Sequence, residues 1–261
     1  MKVSQNWLKS LVEINTTADD LSEKLSIGGF EVESLVDCSK NVRGIVLGKV
    51  LSVVKHENSD KLSICIVDIG SSNHLQIICG AKNIKQNIYV YVATIGTHLS
   101  AINLTIKKTE IRGVSSEGMI CSLEELGIED TSDGIAIIDE VLALKHKLGT
   151  SAAELLDLND YIFDLAITAN RPDGMSVVGI AREISALLET KLNFPDLKTN
   201  YKVNVYKNFN LCPDAITTNC LYSISSIESV NGKESSPGWL RDRLDKSGIK
   251  SINLLVDITN Y

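Results

Sequence analysis

The sequence predicts an α+β, multidomain chain in which a small closed β-barrel of the OB-fold type is inserted into a small α/β domain and followed by the start of a further mixed α+β domain. Three observations predict it. Between about residue 42 and residue 138, short strand-like runs are separated by Gly, Asn, Asp and Ser with almost no helical spacing, which favours a barrel over a parallel sheet. The flanks, 1–39 and 152–192, each carry an incomplete helical pattern, so they are expected to join as one discontinuous domain around a barrel at 40–151. After Asn193-Phe194-Pro195 another unit starts, taken as 200–261.

The elements follow in order. In the first forty residues two short helices precede a strand. Thr17-x-x-Asp20 fits a capping box, Leu21 and Leu25 share a helical face, and Gly28-Gly29 supplies the stop. Phe30, Val32 and Val36 then alternate with Glu31 and Glu33, the pattern of a half-buried strand. The barrel strands are expected at 44–54, 62–69, 75–79, 88–94, 104–108 and 134–138. Beyond them Asn170 or Asp173 is placed to cap a long helix whose stripe is Val177, Ile180, Ala181, Ile184, Leu187 and Leu188. Ser236-Pro237 marks another helix start, with Ser as the cap, Pro at the first position and Gly248 as the stop. The chain ends inside the apolar run Ile252–Tyr261, which is the pattern of a piece excised from a longer protein.

Composition narrows the function. With 44% hydrophobic and 23% charged residues, the 261-residue chain can bury more than one core. No run reaches the roughly 20 apolar residues needed to span a bilayer, and the N-terminus lacks a signal-peptide core, so a soluble, cytoplasmic protein without a membrane partner is expected. The six cysteines form no Cys-x-x-Cys pair and are expected to be reduced and mostly buried. A net charge of −7 argues against unspecific, salt-driven nucleic-acid binding. Its distribution is uneven, however: residues 40–112 hold ten Lys/Arg against four Asp/Glu, and 113–151 hold two against eight. That pattern fits either a phosphate-facing surface or a solvated mixture of charges. No nucleophile-and-base arrangement, Walker loop or His-Glu-x-x-His helix occurs, and the four histidines lack metal-ligand spacing, so no catalytic residue and no metal site is assigned.

Three separated stretches carry a resemblance. The barrel holds His56-Glu57-Asn58-Ser59-Asp60-Lys61-Leu62, Gln76–Asn83 and Ile111–Ser122, which together resemble the tRNA-binding OB domain of bacterial phenylalanyl-tRNA synthetase β subunits, methionyl-tRNA synthetase C-terminal domains and small free-standing tRNA-binding proteins. The second stretch, Thr168–Ser176 running into Gly179–Glu183, is similar to the segment that follows the barrel in the β subunit and is lacking in the free-standing proteins. The third, Gly248–Asn253 with Val256–Tyr261, resembles the opening of that subunit's B3/B4-type editing domain, which here is truncated. One departure lies in the barrel, where Glu57 and Ser59 stand at positions commonly Pro and Ala in the family. The resemblance implies a noncatalytic portion of a phenylalanine–tRNA ligase, an α2β2 enzyme with an α subunit as partner and with ATP and magnesium as cofactors of the full assembly; none is expected bound to this portion. The alternative is a stand-alone tRNA-binding OB protein without enzymatic role.

The candidate tRNA contacts are Lys55, His56, Lys61, Lys82, Asn83, Arg112 and Ser116, with Lys85, Lys107 and Lys108 as further cations, because OB-folds hold single strands along a basic groove with stacking side chains. Tyr89 and Tyr91 fit either base stacking or a buried pair, and His56 either an RNA contact or a surface loop without a role. Arg171, Arg182 and Glu183 fit ion pairs tying domains together. The resemblance further implies that Thr259 and Asn260 occupy part of an editing pocket for mischarged tyrosyl-tRNA; as bare residues they fit capping or pairing of backbone at the chain end.

Overall fold

A computed structural model describes residues 1–194, 230–232 and 234–261. The elements are, in chain order, β1 (Lys2–Ser4), α1 (Gln5–Lys9), α2 (Ala18–Ile27), β2 (Glu31–Asp37), β3 (Ile45–His56), β4 (Ser59–Asp68), β5 (Leu75–Cys79) and β6 (Tyr89–Thr94). Short strands follow: β7 (His98–Leu99), β8 (Leu104–Thr105), β9 (Thr109–Ile111), β10 (Val114–Ser116), β11 (Gly118–Ile120) and β12 (Ile137–Ile138). The chain then forms α3 (Glu140–Ala143), α4 (Ala152–Leu155), β13 (Tyr161–Ala166), α5 (Val177–Leu188), α6 (Gly238–Lys246) and α7 (Leu254–Asn260). The architecture is mixed α+β with a nearly closed barrel sheet. Two compact units share the chain, 34–162 and the pair 1–33 with 163–261. No helix among the described residues is long and apolar enough to cross a membrane.

The barrel unit is built on one long strand. β3 pairs β6 through Ile45–Lys49 and β4 through Lys49–His56, and two register breaks, at Val50/Ser52 and Lys55/His56, let it coil from one neighbour to the other. The order β11-β6-β3-β4-β5 leaves a seam between β5 and β11. That seam is bridged by the Glu117 amide donating to the Gln76 carbonyl at 2.8 Å and the Gln76 side chain donating to the Ser115 carbonyl at 2.7 Å. β6 is buried on both faces: Val90 and Val92 enter one core with Val50, Val67 and Ile77, while Tyr89, Tyr91 and Ala93 enter another with Leu47, Leu99 and Leu126. Cys65, Cys79 and Cys121 are free and buried, and burial pushes the Cys65 and Cys121 thiols up to about 12. Cys38 is half-buried and in no disulfide; Cys212 and Cys220 lie outside the described residues. The strand expected at 104–108 is only β8, two residues long, and the one expected at 134–138 shortens to β12.

β1, β13 and β2 form a three-stranded sheet in the order β1-β13-β2. The expected cap of α2 is present: Thr17 Oγ1 accepts from the Asp20 amide at 3.1 Å and donates to the Asp20 carboxylate at 2.7 Å. The start of α5 differs from expectation. Ser176, rather than Asn170 or Asp173, is its cap, accepting from the Gly179 amide at 3.0 Å, because Pro172–Gly174 forms a separate 3-10 turn first. Arg171 binds Asp173 through Nε at 3.1 Å and Nη2 at 3.0 Å, binds Glu183 at 2.7 Å, and lies 4.2 Å from the Phe30 ring. The Arg171 hydrogen bond holds the Asp173 carboxyl below the usual range. These ion pairs lie inside one unit, whereas Arg182 stands over Phe194 at 5.5 Å and takes no part in them.

Residues 200–229 of the expected third unit lie outside the described residues. The described remainder, α6 and α7, meets at a buried carboxylate. α6 starts at Gly238 with Pro237 as a cap that offers no side-chain bond, because the expected capping residue, Ser236, donates its hydroxyl to Asp257 instead. Asp257 also accepts from the Ser251 hydroxyl at 2.5 Å and the Ile252 amide at 2.9 Å. Asn253 caps α7 through the Leu255 and Val256 amides, both at 3.1 Å. The hydroxyls of Ser236 and Ser251 hold the Asp257 carboxyl below the ordinary carboxylate value. A depressed carboxyl stabilises the fold above its unfolded pKa of about 4 and loses that contribution as pH falls through the lower folded value. Amide exchange in α6 and α7 is therefore expected to accelerate in acid below about pH 4, and Asp257→Asn to show fast exchange already at neutral pH. Equal acid sensitivity in wild type and variant would assign the transition to another carboxylate.

Candidate nucleic-acid interface

One end of the barrel sheet gathers most of the expected tRNA contacts. Register sets Lys55 opposite Ser63 and Ser63 opposite Cys79, so Lys61 and Lys82 flank a single row across β3, β4 and β5. Lys55, Lys61, Lys82 and Arg112 are all exposed. Arg112 reaches this end through the β9–β10 hairpin, in which Ile111 pairs Val114. The two-residue turn Arg112-Gly113 has φ of 53° and 87°, the positive pair typical of a type I′ turn. Glycine adopts that backbone freely; arginine does so at a cost on the order of 1 kcal/mol or more. The strain is held by a tether: Arg112 Nη1 donates to the Asn58 carbonyl at 2.9 Å, and Asn58 Nδ2 donates back to the Arg112 carbonyl at 3.4 Å.

His56 is the post under this arrangement. It is buried, although the sequence left it either as an RNA contact or as a surface residue. The Asn58 amide donates to Nδ1 at 3.0 Å, which leaves Nε2 to donate to the Ile111 carbonyl at 3.2 Å. One ring thus ties the β3–β4 turn to the hairpin that carries Arg112. Ser116 is buried as well, accepting from the Ile78 amide at 3.1 Å and donating to the Gly118 carbonyl at 3.1 Å, so it closes the seam. Asn83 clamps residue 135 from both sides, Nδ2 to its carbonyl at 2.9 Å and Oδ1 from its amide at 3.1 Å. Of the seven residues, four cations face solvent and three polar side chains hold the loops that present them.

Other expected contacts separate from this end. Tyr89 and Tyr91 are buried and cannot stack on bases. Lys108 pairs with Glu117 at 2.7 Å, and that hydrogen bond lowers the Glu117 pKa. Beside the seam a groove of about 1010 Å³ is lined largely by Ile78, Leu104, Ile111, Met119 and Ile135, with Glu124 and Glu125 at one side. Lys107 also lines it, so the groove carries one cation against two carboxylates between apolar walls, which makes it a poor phosphate channel. Thr259 and Asn260 lie exposed on the last turn of α7, and the Thr259 hydroxyl bonds back to the Val256 carbonyl at 2.7 Å.

Comparison with known proteins extends the geometry. Residues 45–145 match a tRNA binding domain, and residues 219–261 match a B3/4 domain. A phenylalanine–tRNA ligase β subunit from Prochlorococcus marinus subsp. pastoris is 90% identical over all 261 residues. The chain belongs to the phenylalanine–tRNA ligase β-subunit family. A second β subunit, from Prochlorococcus marinus (strain MIT 9312), is 73% identical, and one from Synechococcus sp. (strain CC9605) is 48% identical, each across the whole of this chain. The chain spans about a third of these β subunits, 32%, 32% and 31% of their length. A β-subunit match that runs through the barrel and the residues beyond it favours this family over a stand-alone tRNA-binding module.

Proposed function

We propose that this chain is the part of a phenylalanine–tRNA ligase β subunit that contributes tRNA binding, scaffold and the opening of an editing domain. The observation that carries the reading is the 90% identity to a β subunit along all 261 residues of this chain, which spans both the tRNA binding match and the B3/4 match. On this reading 1–39 with 152–192 form the scaffold, 40–151 the tRNA-binding barrel, and 200–261 the start of the editing domain. Aminoacylation, with ATP and magnesium, belongs to the complete α2β2 assembly with the α subunit. Editing has a physical motive, since an apolar pocket for phenylalanine rejects an added hydroxyl by only about 100-fold. Thr259 and Asn260 are proposed as part of the second, hydrolytic pocket that removes tyrosine.

For the barrel, the four exposed cations at one sheet end are proposed to meet phosphates, with His56, Asn83 and Ser116 as their supports. The test is a titration of the chain with single-stranded RNA at several salt concentrations. Affinity is expected to fall with salt at a log–log slope of about −0.7 per phosphate contact, and replacing Lys55, Lys61, Lys82 and Arg112 by Ala to flatten that slope by up to about 3. An unchanged slope would make these cations ordinary solvated surface; no binding at low salt would remove the RNA-binding role from this chain.

A further inference from the structure

The groove beside the barrel seam takes no part in the RNA contacts proposed above. It is formed wholly within the barrel unit, by Ile78 of β5, Leu104 of β8, Ile111 of β9 and Met119 of β11, and has a volume of about 1010 Å³. Leu104 is 43% exposed, so the packing of the barrel itself does not cover it. The strand β9, which lends Thr109 and Ile111 to the groove, pairs with β10 alone among the described residues. Ile111 and Val114 face each other across a two-residue turn and exchange both backbone bonds, so the N–H and C=O of the next residue back, Glu110, point away from β10. An apolar groove therefore runs beside an open strand edge.

Charge narrows the occupant. The loop 122–134 holds Glu124, Glu125, Glu129, Asp130 and Asp133 and no lysine or arginine, and its Glu124 and Glu125 line the groove. Glu124 accepts from the Ser132 amide at 3.3 Å and Glu125 from the Ser122 amide at 2.7 Å. Those donors are neutral, so both carboxylates keep their charge. Lys107 lines the groove as well, while Lys108 is already paired with Glu117 at 2.7 Å. RNA would set phosphates against this acidic wall, and its bases would find no aromatic ring among the described lining residues. An extended polypeptide of alternating apolar and basic residues matches all three features. Its apolar side chains suit the walls, where Met119 adapts to shape, its cations suit Glu124 and Glu125, and its backbone can pair at the open edge.

We propose that the groove receives an extended, basic and apolar segment of another protein. The test titrates the 261-residue chain with a capped eight-residue peptide of alternating valine and lysine, followed through methionine methyl resonances. The chain has three methionines: Met119 lines the groove, and Met1 and Met175, in the other unit, serve as controls. The peptide is expected to shift the Met119 methyl and to leave the other two in place. Leu104→Ser, at an exposed position, should weaken binding about tenfold. Glu124→Gln combined with Glu125→Gln should weaken it by about the same factor and remove its salt dependence, while Gln keeps an acceptor oxygen for the Ser122 and Ser132 amides. A peptide with glutamate in place of lysine is expected not to bind.

The proposal is overturned if no peptide binds at low salt, if the glutamate peptide binds equally well, or if binding leaves Met119 unmoved. Displacement of the peptide by a ten-nucleotide single-stranded RNA that itself shifts Met119 would assign the groove to RNA. The same titration is made on a complete β subunit, where binding is expected to persist. Its loss there would show that the remainder of the subunit fills the groove, and would remove the outside partner.

Discussion

Gly179→Ala is expected to unfold the unit formed by 1–33 and 163–261 while leaving the barrel folded. A Cβ at Gly179 would lie 1.7 Å from the Asp173 carbonyl oxygen, and backbone cannot swing aside as a flexible side chain can. Relief would require pulling the Pro172–Gly174 turn off the start of α5, which breaks the Ser176 cap and moves Arg171 away from Glu183 and Phe30. A combined loss of this kind falls in the exceptional range of about 4 kcal/mol or more. Gly238 is the control. It opens α6 with nothing within 4 Å of the place an added methyl would take, so Gly238→Ala should be neutral or stabilise by up to about 1 kcal/mol. Thermal melts followed by near-ultraviolet dichroism, with Trp7 and Trp239 reporting the one unit and Tyr89 and Tyr91 the other, separate the two. A Gly179→Ala melt within about 1 kcal/mol of wild type would show that the α5 start relaxes freely.

The second large effect is expected from a buried residue. His56→Ala should destabilise the barrel by about 2–3 kcal/mol, since it removes two hydrogen bonds and leaves the Asn58 amide and the Ile111 carbonyl without their buried partner. It should also weaken RNA binding, because the hairpin carrying Arg112 loses its post. Lys55→Ala makes the contrast: it should reduce the salt slope by about 0.7 and leave the melting temperature unchanged. If His56→Ala alters RNA affinity with no change in melting temperature, the ring itself contacts RNA and the post assignment is wrong.

Much of this was legible because periodicity and turn residues are local. β5 lies where alternation puts it, at Leu75–Cys79, and the Thr17 cap of α2 is readable from four residues. The failures share a different cause, competition between distant partners. Ser236 has the sequence of a helix cap, but Asp257, 21 residues away, takes its hydroxyl. β11, three residues long, has too short a pattern to read, and only pairing with β6 makes it a strand. His56 beside Lys55 reads as surface, and its burial depends on Ile111, 55 positions on. Among the site residues, charge was legible in the exposed lysines, whereas the supporting roles of His56, Asn83 and Ser116 require partners that spacing does not reveal.

The chain leaves one unit along β2 and returns along β13, and the Cys38 amide donating to the Asp160 carbonyl at 3.0 Å sets the two ends of the barrel side by side. This arrangement dictates an order of events on the ribosome. Residues 1–33 emerge first but have no sheet partner until β13 has been made, after the whole of 34–162. At roughly 5–20 residues per second, that interval is on the order of ten seconds. The barrel strands can pair as they emerge within it, and when the Cys38–Asp160 bond draws the two ends together, β13 is brought next to the waiting β2.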